Sequence, residues 1–276
     1  MCIRDRFMSL WALTTIYPFI WVILNSFKPR GLIRSDTFSL PIGDKFTLEN
    51  YVTAFKRVDI GTAYVNSIVI SGAVTVVVMV LAGLAAYAMV RYSFRLRGFL
   101  HSMIIASMMF PVFSTIIPVF RMESSWGIVN TGSIWLTRLS VVLPQIAGNL
   151  SFAIIVLMGF IRSLPVDLEE AAYLEGYNVY QIFFRIIMPL AKPSFATVGI
   201  FTFLWSYNDL FLQMFFLRSK KFFTITRLLN EISSQAGTNY GLMVAAVVMV
   251  VIPVLVVYIF LQNYIIKGMT AGAVKG

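Results

Sequence analysis

The chain has 276 residues, of which 59% are hydrophobic and only 12% charged, about half the charged share of an ordinary soluble domain. That composition excludes a water-soluble globule. One cysteine, Cys2, and one histidine, His101, exclude an internal disulfide and the usual Cys- and His-rich metal sites. The net charge of +10 is spread between apolar blocks instead of forming one basic stripe, so it fits membrane anchoring and not nucleic acid.

Crossing a bilayer as a helix takes about 20 mostly apolar residues. Six stretches meet that length, at 7–27, 64–90, 99–120, 137–161, 191–217 and 241–265. Each is predicted to be helical, because an open strand would leave backbone groups unpaired in lipid. The fold class is therefore all-α, a polytopic membrane protein with six transmembrane helices. No small-residue cleavage site follows the first stretch, and "SFKPRG" (26–31) reads as a span ending in water, so it is expected to be retained. The opening "MCIRDR" carries no functional weight.

The first loop (28–63) is the longest. The second, "RYSFRLRG" (91–98), holds Arg91, Arg95 and Arg97 with no acid. Small residues Ala82, Gly83, Ala85 and Ala86 give the second span a face for close helix contact. Prolines at 111, 118, 144, 193 and 253 interrupt or begin spans, which membrane bundles tolerate where neighbours re-satisfy the backbone. The distribution of Lys and Arg between the two sides leaves the orientation open.

The fourth loop, around 163–190, is far longer than a simple connector of about 2–8 residues. It reads "SLPVDLEEAAYLEGYNVYQIFFRIIMP" from Ser163 to Pro189. Pro165 suits a helix start, and Asp167 with Glu170 has capping-box spacing. A two-turn helix from Leu168 to Glu175 is expected to stop at Gly176 in the left-handed conformation. Asn178 with Gln181 is expected to cap a second helix. Ala171 and Ala172 leave one face without bulk, and Glu169, Glu170 and Glu175 supply charge for a cationic wall. This has the character of a docking element.

Glu170-Ala171-Ala172, then Gly176, then Ile186-Ile187-Met188-Pro189 resembles the EAA motif of ABC importer permeases, E-A-A-x3-G-x9-I-x-L-P, with Met188 replacing leucine. "SFKP" (26–29), "WSYNDLF" (205–211), "YGLMVAAVVMVVIPVL" (240–255) and "KGMTAGAVKG" (267–276) are similar to the carbohydrate-import branch, in particular to the smaller permease of maltose-type importers. Tyr207-Asn208-Asp209 stands where the branch more often has Trp-Asn-Glu or Trp-Asn-Asp.

The resemblance implies a single transmembrane domain over 1–276, with its core at 64–265 and a coupling loop at 163–190. It implies that this loop is cytosolic, with both termini, in a bacterial or archaeal cytoplasmic membrane. Glu170 would pair with a basic residue of a partner ATPase, Ala171 and Ala172 would permit the close fit, and Gly176 would turn the chain. Glu169, Ile186 and Pro189 complete the expected coupling loop. The implied partners are a second permease, two ATPase subunits, an extracytoplasmic sugar-binding protein and the lipid bilayer, with no nucleic acid. ATP would be bound by the ATPase subunits, since no Walker A motif occurs here, and the permease itself needs no cofactor or metal.

Inside the spans, Asp209 is the one carboxylate well within a predicted helix, flanked by Trp205, Tyr207 and Asn208. An aromatic-plus-amide cluster suits a sugar, and an intramembrane ionisable group marks a functional site by default. The alternative is pairing with a neighbouring helix. Gln145 and Asn149, four apart on the fourth span, either line a path or bond between helices. In the fifth loop, Gln235, Gly237, Thr238, Asn239 and Tyr240 form a polar segment that resembles the one facing the binding protein in relatives.

A self-powered transporter and an intramembrane protease fit the sequence less well. A self-powered transporter needs intramembrane ionisable groups for a coupling ion, and Asp209 alone is thin support. An intramembrane protease lacks both an H-E-x-x-H pair and a G-x-S-x-G serine. Among importer permeases, phosphorylated or amino sugars are the alternative cargo, with the scarcity of basic residues in the spans favouring neutral sugars.

Overall fold

The computed structural model describes residues 3–57, 59–237 and 239–273, with the side chains of 3, 57, 235, 236, 257, 261 and 263–273 left aside. Cys2 and Thr238 lie outside the described residues, as does the end of the "KGMTAGAVKG" tail.

The principal elements are helices α1 (Ile3–Ser26), α2 (Glu49–Arg57), α3 (Ile60–Arg91), α4 (Arg97–Ser107), α5 (Val112–Ser125) and α6 (Ile134–Ile161). They continue with α7 (Asp167–Leu174), α8 (Val179–Leu190), α9 (Lys192–Asn208), α10 (Phe211–Phe216), α11 (Ile225–Ala236) and α12 (Tyr240–Ala273). Four helices among the described residues are long and apolar enough to cross a membrane: Arg4–Ser26, Ile60–Arg91, Ile134–Ile161 and Tyr240–Phe260. Two bent pairs raise the number to six if each pair is one span, namely α4 with α5 and α8 with α9.

The bends correct the sequence reading. The predicted third span, 99–120, is broken: α4 and α5 meet at 104°. Pro111 has extended dihedrals (φ −68°, ψ 127°), and a proline disfavours helical backbone in the residue before it, here Phe110. The predicted fifth span, 191–217, is helical only to Asn208, where Asp209 turns extended (ψ 108°) before α10 begins. α8 and α9 meet at 83° around Ala191, and Pro193 sits in the first turn of α9, where its missing N–H costs nothing.

The chain divides into two compact units, one of residues 1–64 with 223–256, the other of 65–222 with 257–276. In the first, the segment after α1 is folded around Lys28, which is fully buried and donates to the carbonyls of Asp36 and Thr37, both at 2.9 Å. Burial pushes the Lys28 ammonium below its ordinary pKa, and nearby Asp36 partly offsets this. Asn50 donates to the carbonyls of Ser26 (2.9 Å) and Lys28 (2.8 Å). Gly241 of α12 has no room for a side chain: a Cβ there would lie 2.2 Å from the Asn50 Oδ1.

In the second unit the small-residue face of α3 packs as its sequence suggests. Ala82 and Ala86 are fully buried, and a Cβ on Gly83 would sit 2.8–2.9 Å from the rings of Phe195 and Phe183. α10 is held to α5 by edge-to-face pairs Phe113–Phe211 (4.8 Å) and Phe120–Phe216 (5.3 Å).

Candidate functional site

The loop between α6 and α9 is where local chemistry is densest. Val166 already has helical dihedrals and stands at the N-cap position, so α7 starts at Asp167, one residue before the predicted Leu168. Asp167 is thereby the first helical residue and caps nothing, contrary to the capping-box expectation. Its charge, with those of Glu169 and Glu170 in the first turn, still complements the helix dipole.

The stop at Gly176 is as expected. Its φ is +85°, and its N–H donates to Tyr173 (3.0 Å) while that of Tyr177 reaches back to Ala172 (3.0 Å). That is the Schellman pattern, with glycine where a Cβ would be strained. Beyond it, Asn178 and Gln181 form the expected reciprocal capping box, at 2.9 and 2.8 Å. α8 then widens to π-type turns over Phe183–Ile187. Pro189 has no N–H to give the carbonyl of Arg185, which removes one regular helix bond just at this point. Ile182, Phe183 and Ile187 are buried, Ile186 and Met188 are half-buried, and Pro189 is exposed.

α7 presents two different faces. Glu169 and Ala172 turn inward, whereas Glu170, Ala171, Leu174, Glu175 and Gly176 lie on the open side, Leu174 being 91% exposed. Glu169, expected among the outward carboxylates, accepts from Arg91 Nε at 2.5 Å and from the Tyr87 hydroxyl at 2.7 Å. Arg91 Nη2 also donates to the Leu164 carbonyl at 2.9 Å, and the hydroxyls of Tyr92 and Tyr173 are 3.0 Å apart. The Tyr173 phenol is held above its ordinary pKa, chiefly by that bond to Tyr92. Sequence reading missed Tyr87, Arg91 and Tyr92. The available signal was Arg91 itself, a cation at a span end in a loop without acids.

The second group, around Asp209, is joined into one network. Gln145 Nε2 donates to Asp209 Oδ2 at 2.9 Å, and Ser206 Oγ donates to Gln145 Oε1 at 2.6 Å. Gln213 Nε2 donates to the Ser206 carbonyl at 3.1 Å, and Asp209 Oδ1 accepts from the Leu212 N–H at 3.1 Å. Asn149 Nδ2 donates to the Gln145 carbonyl at 2.7 Å. Gln145, Asn149 and Tyr207 are buried and Asp209 is half-buried; Gln145, Ser206, Asp209 and Gln213 fasten α6, α9 and α10 to one another, whereas the Asn149 bond lies within α6.

Trp205 and Asn208 stand apart from that network. Both are exposed, Trp205 by 47%, and the Asn208 amide bonds only its own helix at the Leu204 carbonyl (2.8 Å). Trp205 lies edge-on to Phe152 at 4.8 Å. Both rings line a cavity of about 520 Å³ at the α4–α5 break, together with Ser107, Thr115 and Ser151.

In the first unit, the fifth-loop residues sit between α11 and α12. Gly237 ends α11 with φ +54°, and Asn239 Oδ1 caps α12 by accepting from the Leu242 N–H at 3.2 Å. Gln235 is in the last turn of α11, its side chain outside the described residues. No group of three or more His, Cys, Asp or Glu side chains able to hold a metal occurs among the described residues.

Residues 79–271 match the family described as binding-protein-dependent transport system inner membrane component. Over 275 residues the chain is 34% identical to the diacetylchitobiose uptake system permease protein NgcG of Streptomyces coelicolor, covering 99% of this chain and 88% of that one. It is 32% identical over 263 residues to the trehalose transport system permease protein SugB of Mycobacterium tuberculosis, covering 95% and 93%. It is 31% identical over 260 residues to the melibiose/raffinose/stachyose import permease protein MelC of Bacillus subtilis, covering 94% and 91%. Among solved structures, a bacterial ABC transporter involved in the import of the acidic polysaccharide alginate shares the fold, with a TM-score of 0.81 at 24% identity over 95% of each chain. So does a bacterial alginate ABC transporter in complex with an alginate pentasaccharide-bound periplasmic protein, with a TM-score of 0.67 at 18% identity over 94% of each chain.

Proposed function

Because this chain belongs to the family of binding-protein-dependent transport system inner membrane components, we propose that it is the permease subunit of an ATP-driven sugar importer. It pairs with a second permease to form the translocation path and rests on two ATPase subunits, which bind the ATP. An extracytoplasmic binding protein delivers the sugar. The names of the relatives, which specify diacetylchitobiose, trehalose and melibiose, raffinose or stachyose, support a carbohydrate cargo. The first of them, an N-acetylated amino-sugar disaccharide, supports keeping amino sugars in the same class of cargo.

The observation that carries this reading is the two-faced α7, with the charge of Glu170 and the small side chain of Ala171 on its open side and its inner side fixed to α3. An ATPase groove with a basic wall takes the open side. On this reading α7 and both termini are cytosolic, each bent helix pair counts as one span to give six, and the chain acts as one transmembrane domain. Trp205 and Asn208, exposed near the 520 Å³ cavity or on the same helix, face the solute. Gln145, Asn149, Tyr207 and Asp209 stand behind them and hold the path in shape. The segment containing Gln235, Gly237 and Asn239 meets the binding protein.

The test is purification of the tagged chain in mild detergent from its own host, with every co-purifying chain identified by mass spectrometry. A second permease and a pair of ATPase subunits are expected. Recovery of this chain alone, under conditions that keep known complexes together, would point to a self-powered transporter instead.

A further inference from the structure

α7 is anchored to the C-terminal end of α3 by side chains about 80 positions away in sequence. Glu169 is buried and Arg91 largely so, with side-chain exposures of 5% and 10%. The Glu169 carboxylate uses one oxygen for Arg91 and the other for Tyr87. Arg91 is not spent on the ion pair alone, since it also fixes the Leu164 carbonyl that precedes α7. Tyr87 packs against the Phe183 ring of α8 at 5.6 Å, and Phe183 against Phe195 of α9 at 6.4 Å. Gly83, one turn back along α3, lets both rings close onto the helix. The end of α3 therefore touches the entry to the loop, α7, α8 and α9 at once.

A surface connector has no use for a buried charge pair. Such a pair stabilises little on balance, yet it fixes one geometry, because both charges must be satisfied together. Rigid elements joined by hydrogen-bond and ion-pair contacts of this kind can carry coupling between distant sites. On the opposite side of the same short helix, Glu170 and Ala171 are free to meet a partner.

We infer that Glu169, with Arg91 and Tyr87, is a positioning residue that passes movement of α7 to α3, so that ATP-driven displacement of the docked helix moves this span directly and not only through chain connectivity. This rests on the function proposed above. It assigns Glu169 and Glu170, adjacent in sequence, to separate tasks: Glu170 engages the ATPase, and Glu169 delivers the resulting motion to the permease.

The experiment uses the complete importer reconstituted in vesicles, comparing Glu169→Gln and Tyr87→Phe with the unaltered chain. Three quantities are read: ATPase retained on purification, ATP hydrolysed, and sugar taken up per ATP. Tyr87→Phe keeps the ion pair, so it tests the joint even where Glu169→Gln assembles poorly. The expected result is retained ATPase and continued hydrolysis, with sugar per ATP falling about tenfold in Glu169→Gln, the factor matching one lost charge-assisted hydrogen bond. A smaller fall in the same ratio is expected in Tyr87→Phe. Unchanged sugar per ATP in both variants, or uptake and hydrolysis falling in proportion, would overturn the inference. Failure of the unaltered chain to retain an ATPase at all would instead overturn the proposed function, so the two failures are separable.

Discussion

Gln145 and Asp209 meet across two helices, 64 positions apart in sequence, with the Gln145 amide donating to the Asp209 carboxylate at 2.9 Å. The same glutamine accepts from Ser206, so one side chain satisfies two partners on α9 and its extended exit. Gln145→Ala strips both bonds at once. A loss of about 1–3 kcal/mol is expected, since buried polar groups are left unpaired. Thermal unfolding in detergent reads it directly. An unchanged midpoint would show that the network is redundant.

Two glycines separate steric tightness from steric cost. At Gly241 an added methyl meets the Asn50 amide, which is itself tied to the Ser26 and Lys28 carbonyls. At Gly199 the atom in the way is Met79 Sδ, 2.9 Å off, on a flexible side chain that can move. Gly241→Ala is expected to cost about 1–3 kcal/mol and Gly199→Ala less than 1. Parallel melting curves decide it, and equal shifts would contradict this account.

Asp36 sets an acid limit on the folded first loop. Lys45 Nζ lies 2.6 Å from its carboxylate and holds the acid below its ordinary pKa. A depressed folded pKa means the stabilisation is complete above the unfolded value of about 3.9 and is lost as pH falls from there through the folded value. Limited proteolysis at the segment around residues 28–57 should accelerate below about pH 4, and Asp36→Asn should remove that acid step. An identical pH profile in the variant would rule out Asp36 as its origin.

Legibility in the sequence followed the range of the interactions. Gly176 and the Asn178–Gln181 box were readable because each is settled within a few residues by backbone sterics and side-chain reach. The apolar lengths marked the four long helices, Arg4–Ser26, Ile60–Arg91, Ile134–Ile161 and Tyr240–Phe260, for the same reason. Pro111 announced a break, but its 104° angle depends on what packs around it. The contrast between Glu169 and Glu170 was unreadable, since two adjacent glutamates differ only in which one faces Arg91, 78 positions before Glu169. For Asp209 the choice between lining a path and pairing with a neighbouring helix stayed open in the sequence, because its partner Gln145 lies on another helix. Sequence spacing carries no record of such pairings.

On the proposed function, the open face of α7 seats an ATPase. That docking is tested most directly by Glu170→Lys, a reversal at an exposed residue that takes part in no buried contact of α7. Tagged wild-type and variant chains would be purified in mild detergent, and their co-purifying subunits and binding-protein-dependent sugar uptake compared. The variant is expected to keep its second permease but lose both the ATPase and uptake. Retained ATPase with undiminished uptake would contradict that docking.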